Sequence, residues 1–479
     1  MSERPAARPP VGIAAATAGL GAILCAGPAF AHVSDRGFVM LLPTGHYLAG
    51  GALAVAASFA VLALLPPGVT LPLDRMRLAL PRAPTMARDA VNLLAFLGFA
   101  ALLLSGWWGS RDPLSNPLPL TVWTLLWVGL TLVQGVAGDL WSWISPWRAP
   151  GRLLSMILSR SDRPPLRLPE RLGYWPALVQ FFGFAWFELI DPAPDDPARL
   201  ATVCTVYFLA NLAAMAAFGY ESWARRGECL SAFFGLVTRY AVSGRESADG
   251  DGRTVLAWPG ARLADAAPLP PSGVLFLLLV LSSVTFDGLS RTFLWLDAIG
   301  INPLEYPGRS AVMAANTLGL GLTFLLLAAV FLGAARLGRV LSGALSPFWP
   351  LAGALVWSIV PIALAYHFSH YLTVLMVNGQ YALVALSDPF GIGWNLFGTA
   401  DLQVTPGVAL GAEASRMVWN LQVTAIVGGH VLAVIAAHRA ARAFEAPPRR
   451  AVLAELPLAL LMVAYTAFGL WLLSTPTGA

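Results

Sequence analysis

The sequence predicts an all-α fold, a polytopic bundle of transmembrane helices. Of its 479 residues, 57% are hydrophobic and only 12% are charged, whereas soluble domains carry about 25% charged residues. The apolar residues gather in stretches of roughly 20, the length at which an α-helix crosses a hydrocarbon layer about 30 Å thick. The formal net charge is +4, and arginines between the apolar stretches supply it. This placement of charge indicates membrane topology and not nucleic-acid binding.

The first segment of the chain, 1–31, is a predicted signal peptide. Arg4 and Arg8 form a basic region, an apolar core follows, and 29–31 is an A-x-A cleavage motif. The alternative is an uncleaved first helix. Both interpretations place His32 outside the cytoplasm.

The rest of the chain, 32–479, is predicted to form a single helical domain with about ten spans. Each predicted inner loop contains at least two arginines. The positive-inside rule therefore favours a multi-pass membrane protein with its mature N-terminus outside. The spans are expected at 40–65, 87–107, 119–138, 172–190, 199–219, 272–290, 311–335, 350–377, 415–437 and 453–474.

Two predicted loops are long. The cytoplasmic loop 220–271 has an amphipathic piece from Leu230 to Tyr240, which predicts a surface helix, and then a polar linker. The outer loop 378–414 is rich in aromatic residues, Gly and Asp and is expected to cap the outer face. Three cysteines are too few for a disulfide scaffold.

Histidines inside apolar stretches are the strongest functional signal. Only six histidines occur in the chain, and ionisable groups within membrane spans are functional candidates. His367 and His370 lie three residues apart in the eighth span, so both project from one face of the helix, with Tyr371 beside them. This pair can bind one metal ion or serve two adjacent ions. The alternative is a pair of structural histidines bonded to neighbouring helices.

Other histidines extend this candidate site. His430 follows two glycines in the ninth span, which predicts close approach of a neighbouring helix, and His46 lies near the outer end of the first span. With the pair in the eighth span, they occupy overlapping depths and are predicted to converge as metal ligands, although each could be structural alone. His32 would become the amino terminus after cleavage and could chelate copper. His438 lies at the cytoplasmic end of its helix, and its replacement by Ala is expected to be nearly neutral for this site.

Carboxylates near the outer ends of spans add to the candidate site. Asp287 ends the sixth span and is a candidate metal ligand or general base, with an ion pair to Arg291 as the alternative. Glu188 and Asp191 end the fourth span and are expected to be interfacial. We therefore predict that Asp287 and His430 are catalytic and that the histidines hold a divalent ion, zinc or copper.

Five phrases between Leu172 and His438 carry a family resemblance. They are FELIDPAPDDP, FGYESWARRGECLSAFFGL, TFDGLSRT, AYHFSHYLTVLMVNGQ and SDPFGIGWNLFGTAD. In these phrases the chain resembles a bacterial membrane protein family labelled fenitrothion hydrolase. The resemblance implies cleavage of an organophosphate triester with release of a nitrophenol. A metal ion held by histidine would suit that reaction, since it lowers the pKa of bound water to about 7.

Two other functions remain open at this point. The first is binding or transport of copper or another metal, although thiolate and Met, the ligands that Cu(I) prefers, are scarce. The second is electron transfer through a b-type haem held by His430 with His367 or His370 on facing helices. The expected partners are a small apolar substrate from the bilayer or periplasm, membrane lipid and, as a further alternative, a second membrane subunit.

Overall fold

The computed structural model of the chain describes most of its residues. The predicted signal segment and His32 lie outside the described part. The described ranges are 43–64, 77–79, 85–158, 166–246, 253–263, 266–302, 308–409, 411–444 and 447–475.

These ranges form a helical bundle with very little sheet. The helices are α1 (Thr44–Leu64), α2 (Thr85–Trp108), α3 (Pro117–Val136), α4 (Trp141–Ile144), α5 (Arg148–Leu158), α6 (Trp175–Leu189), α7 (Pro197–Phe218), α8 (Tyr220–Arg226), α9 (Cys229–Val237), α10 (Pro271–Ser290), α11 (Phe293–Ala298), α12 (Arg309–Ser342), α13 (Phe348–Ser387), α14 (Ala412–Phe444) and α15 (Pro448–Ser474). Three short strands, β1 (Leu78–Ala79), β2 (Ser243–Glu246) and β3 (Arg253–Leu256), pair antiparallel in the order β1-β3-β2.

Nine helices in the described ranges are long and apolar enough to cross a membrane. They coincide with nine of the ten predicted spans, so the all-α prediction is confirmed. The tenth predicted span, 172–190, contains α6, whose 15 residues reach only about 22 Å at 1.5 Å per residue. Gly173, with φ of 45°, separates α6 from the preceding turn, and the helix ends at Leu189.

Helix α13 differs from the predicted span 350–377 at its end. It continues to Ser387, so the predicted outer loop 378–414 begins ten residues too early. The added turns bury Ala382 and Ala385 against Leu120 of α3. This packing stabilises helical backbone in a stretch whose Gly and polar residues had predicted a loop.

The predicted cytoplasmic loop 220–271 is more ordered than a surface helix with a linker. Helix α9 is buried along nearly its whole length. The Glu228 carboxylate caps its first turn, accepting from the backbone N–H of Leu230 at 2.9 Å and of Ser231 at 2.7 Å. Burial raises the pKa of the Glu228 carboxyl. The expectation of a surface helix was therefore wrong.

The β2–β3 hairpin of this loop is tied to α9 by one arginine. The Arg262 guanidinium is buried and donates to the backbone carbonyls of Thr238, Ala241 and Ser243 at 2.6–2.8 Å. Burial, and then nearby arginines, lower the pKa of Arg262 to about 10. The three carbonyl acceptors around Nη2 replace part of the lost hydration of this charge.

Helix α10 lies at the centre of the bundle, since 16 of its 20 residues are buried. Helices α6, α12 and α13 pack around it. Helix α3 also packs against α13 and contains a π-helical segment, Leu120–Leu130. π-Helical turns are rare and are frequently found at functional sites. The carboxyl ends of α6 and α10 meet the middle of α13, and this junction positions the candidate site.

Candidate functional site

A hydrogen-bonded group of side chains lies where these helices meet. The Nε2 atom of His370 is 2.7 Å from Oδ2 of Asp287, and the Tyr371 hydroxyl donates to the same oxygen at 2.9 Å. The Tyr371 hydroxyl also lies 3.3 Å from Oε1 of Glu188. We call Glu188, Asp287, Arg291, His370 and Tyr371 the Asp287 cluster. It joins residues from α6, α10 and α13.

Local structure explains why these residues meet. Asp287 is in the last turn of α10, and Glu188 is in the last turn of α6. Since these two adjacent helices both begin at the predicted inner side, their last turns lie at the same level. His370 and Tyr371 are consecutive on α13, and their rings are perpendicular with centroids 4.7 Å apart. One turn of α13 therefore offers two polar side chains to both carboxylates.

Two arginines set the electrostatics of the cluster. Arg291 Nη2 lies 3.3 Å from Oδ1 of Asp287; the Asp287 side chain is 3% exposed and that of Arg291 is 55% exposed. Arg309 donates to the backbone carbonyls of Glu188 at 2.9 Å and of Asp191 at 3.3 Å. Arg309 thus neutralises the carboxyl end of α6, where the helix dipole favours a cation. The cluster is closed towards the core and reaches the surface through Arg291.

His367 belongs to the edge of the same site. Its Nε2 lies 3.0 Å from the carbonyl oxygen of Trp127, in the π-helical segment of α3. Its ring is edge-on to those of Trp127 and Tyr371, with centroids 5.0 and 4.9 Å away. Because a carbonyl oxygen can only accept, Nε2 carries the proton of His367, and Nδ1 has the lone pair.

His370 has the corresponding tautomer. An Asp287 carboxylate paired with Arg291 accepts from Nε2 of His370, and Nδ1 is then the basic nitrogen. No hydrogen bond to this Nδ1 is formed within the described part of the chain. A histidine with one N–H fixed by a carbonyl or carboxylate is typical of a metal ligand and of a general base.

The other predicted ligands lie elsewhere. His430 bonds through Nδ1 to the Ile426 carbonyl at 2.9 Å, and its buried Nε2 has no hydrogen-bond partner within the described ranges. His46 is exposed at the start of α1 and lines a shallow groove beside α14. Among the described residues, no group of three or more His, Cys, Asp or Glu is arranged to hold a metal ion. The predicted convergence of four histidines is therefore not seen.

His438 has a partner that the sequence did not indicate. Its Nδ1 lies 2.8 Å from Oε2 of Glu455, a fully buried residue of α15. A buried carboxylate depends on such a partner, so His438 has a structural role, whereas its expected neutrality for the site stays a prediction.

An apolar cavity of about 780 Å³ lies beside the site, between α2, α3, α6 and α7. Its lining residue Phe184 packs edge-on to Trp127 with ring centroids 5.0 Å apart. Val206, also in its lining, is 64% exposed on the outer surface of α7. The volume is within the range of about 300–1,000 Å³ typical of small-molecule sites. An aromatic layer of two successive rings, Phe184 and Trp127, links the lining of this apolar cavity to His367.

The sequence did not predict that α3 takes part in the site through the Trp127 carbonyl, which contacts His367. The Trp127 carbonyl is a backbone group, and residue type gives no signal for it. Glu188 was expected to be interfacial, whereas it is linked to Asp287 through Tyr371. The sequence contains one signal for the link between Glu188 and Asp287, because Tyr371 shares a helical face with the histidine pair.

Comparison of the chain with protein-family models, with curated proteins and with solved structures gave no match. The fold and site define a polytopic helical protein with a buried histidine–carboxylate cluster.

Proposed function

We propose that the chain is an integral membrane hydrolase in which Asp287 orients His370 as the general base. The observation that carries this proposal is the 2.7 Å hydrogen bond between His370 and Asp287, whose side chains are 9% and 3% exposed. A buried carboxylate holds the imidazole in one tautomer and stabilises its protonated form. The bacterial inner membrane, with the N-terminus outside, is part of this proposal.

The reaction follows from the free nitrogen of His370. Nδ1 takes a proton from a water molecule while the water oxygen forms a bond to phosphorus. The bond from phosphorus to the aryl oxygen breaks, and the aryloxide leaves with the electron pair. His370 then returns its proton to the aryloxide or to bulk water. A positioned general base contributes about 10²–10⁴-fold to such a rate.

The substrate class rests on the apolar cavity and on the family resemblance. An aryl phosphotriester has no charge and would partition into the bilayer. The apolar cavity is lined almost entirely by hydrophobic side chains, and Val206 at its rim is exposed on the outer surface of α7. A substrate could therefore reach the aromatic layer beside His367 without passing through water.

A metal-dependent form of this hydrolase is the second candidate. Both His367 and His370 have one nitrogen fixed by an acceptor, and the other nitrogen forms no hydrogen bond with the residues that the structure describes, which fits two positions of a metal site. Catalytic zinc sites use three protein ligands, and Oδ2 of Asp287 already accepts two hydrogen bonds. A bound zinc or copper ion would polarise the P=O bond and acidify water.

The test of the hydrolase is release of nitrophenol from a nitrophenyl phosphotriester by protein reconstituted in lipid. His370→Ala should lower turnover by at least about 10²-fold. The matched control is His46→Ala, since His46 is exposed and outside the cluster. Turnover by His370→Ala at the wild-type rate would show that the histidine is structural.

The metal is tested separately by elemental analysis of protein purified without a histidine tag. Stoichiometric zinc or copper that is lost in His367→Ala and His370→Ala would favour the metal-dependent form. Full turnover after chelation would contradict it. An absorption spectrum of the same sample tests the haem alternative, and metal uptake into vesicles tests the transport alternative.

A further inference from the structure

A second large cavity lies at the opposite end of the helices that form the Asp287 cluster. It has a volume of about 1,010 Å³ and is lined by Tyr174 at the start of α6 and by Pro271 at the start of α10. The cluster residues Glu188 and Asp287 lie at the other ends of these two helices. The cavity is thus separate from the proposed reaction site, on the predicted cytoplasmic side.

Arginine dominates the lining of this cavity, which we call the basic cavity. Five arginines and three carboxylates line it, leaving two positive charges in excess. They are Arg88, Arg148, Arg225, Arg226, Arg239, Asp139, Glu170 and Glu221.

One lining carboxylate and one lining arginine have partners other than each other. Oδ1 of Asp139 accepts hydrogen bonds from Nε2 of Gln134 at 3.2 Å and from the backbone N–H of Ser142 at 3.1 Å. Arg148 pairs at 3.5 Å with Asp89, which is not in the lining.

Three of these arginines line the basic cavity together with the Tyr174 side chain. They are Arg225, Arg226 and Arg239, and all three are exposed. No ion pair joins any of them to a carboxylate within the described part of the chain. A multivalent anion near Tyr174 would gain from all three charges.

The remaining walls are aromatic or apolar. Trp141, Tyr174, Tyr220, Trp349 and Trp357 contribute rings. Trp and Tyr are enriched where a membrane protein meets the headgroup layer. Guanidinium groups bind phosphate oxygens in a bidentate fork. Basic pockets between transmembrane helices on the cytoplasmic side are typical sites for anionic lipid headgroups.

We propose that the basic cavity binds the phosphate headgroup of an anionic phospholipid, with Arg226 and Arg239 as its main contacts. The site is independent of the proposed hydrolase, because it shares no residue with the Asp287 cluster. The lipid would hold the inner ends of α6 and α10 together with α8 and α9.

The experiment measures thermal unfolding of the purified full-length chain in detergent with three probes. These are a short-chain phosphatidylglycerol, a short-chain phosphatidylcholine and inorganic phosphate. We expect phosphatidylglycerol to raise Tm in a saturable way, with little effect of the other two. Each arginine near an anionic headgroup contributes about a factor of five in affinity, so Arg226→Gln with Arg239→Gln should weaken apparent binding about 30-fold.

The matched control is Arg336→Gln, which removes an exposed arginine of α12 outside the basic cavity. It should leave phosphatidylglycerol binding within about twofold of wild type. Equal stabilisation by phosphatidylcholine, or unchanged phosphatidylglycerol binding by the double variant, would overturn the proposal. Stabilisation by inorganic phosphate alone, lost in the double variant, would assign the site to a soluble phosphate instead and would also overturn it.

Discussion

At the scale of single residues, the Asp287 carboxylate is the centre of the candidate site. One of its oxygens accepts from His370 and Tyr371, and the other faces Arg291. A carboxylate removed from water is costly unless such partners replace its hydration. The partners therefore stabilise Asp287, and Asp287 in turn fixes the orientation of His370.

Asp287→Asn tests this reciprocal dependence. An amide keeps the shape of the carboxylate but removes its charge and allows the wrong His370 tautomer. We expect nitrophenol release to fall by about 10²-fold or more, with a smaller change in Tm. Asp401→Asn, which changes an exposed carboxylate of the predicted outer loop, should leave both unchanged. Wild-type turnover in Asp287→Asn would remove Asp287 from the proposed mechanism.

His438 provides a prediction about stability alone. His438→Ala leaves the fully buried Glu455 carboxylate without its partner, which should cost about 3–5 kcal/mol in unfolding free energy. Replacing both residues, as His438→Leu with Glu455→Leu, should restore much of this loss, because an apolar pair needs no partner. Denaturant unfolding of the three proteins measures the effect. A fully stable His438→Ala protein would show that the pair contributes nothing.

The sequence could predict which side chains of α13 share a face, but not their partners. The spacing of His367, His370 and Tyr371 placed them together, and in the structure both histidine rings make edge-to-face contacts with the Tyr371 ring. The sequence could not show where His46 and His430 point, because the depth of a residue in the membrane does not determine the direction of its side chain around the helix axis. The contact of His367 with the Trp127 carbonyl could not be predicted for a different reason. Every residue has a backbone carbonyl, so residue type does not single this one out.

At the scale of helices, the contact between α13 and α14 depends on one of two adjacent glycines. A Cβ atom at Gly429 would lie 2.4 Å from Cβ of Ala365 and 2.8 Å from the Pro361 carbonyl oxygen, whereas one at Gly428 would meet nothing within 4 Å. Small residues let membrane helices approach closely. The sequence indicated this for both glycines, and the structure restricts it to Gly429.

Gly429→Ala should therefore destabilise the protein, and Gly428→Ala should not. Neither the Pro361 backbone nor the short Ala365 side chain can rotate away, and overpacking costs about 1–3 kcal/mol. At Gly428 the added methyl group favours helix formation by up to about 1 kcal/mol. Thermal unfolding of the two variants in the same detergent compares them directly. Equal stability of both would contradict the close packing at Gly429.

Element boundaries were harder to predict than element number. Apolar length alone located nine long helices, because the bilayer sets that length. The continuation of α13 to Ser387 and the burial of α9 depend on contacts with α3 and with α6. Such contacts are distant in sequence, so local composition indicated a loop and a surface helix instead.

At the scale of the whole molecule, the arginine distribution predicts the orientation. Reporter fusions after Arg82, Arg160, Arg245 and Arg442 should all read cytoplasmic, since each site lies in an Arg-rich predicted inner loop. The basic cavity should then face the cytoplasm and the Asp287 cluster the other side. An outward reading at two of the four sites would reverse or reject this topology.

The apolar cavity has a kinetic consequence. If the protein takes its substrate from lipid, the reaction rate depends on the mole fraction of substrate in the membrane and not on its bulk concentration. Adding inert lipid at constant total substrate should therefore slow the reaction by surface dilution. Lengthening the alkyl esters should lower the apparent KM about fourfold per methylene, since each contributes about 0.8 kcal/mol of transfer free energy. Rates independent of the lipid-to-protein ratio would mean that substrate arrives from water. If dilution does slow turnover, the bilayer itself is the protein's substrate reservoir.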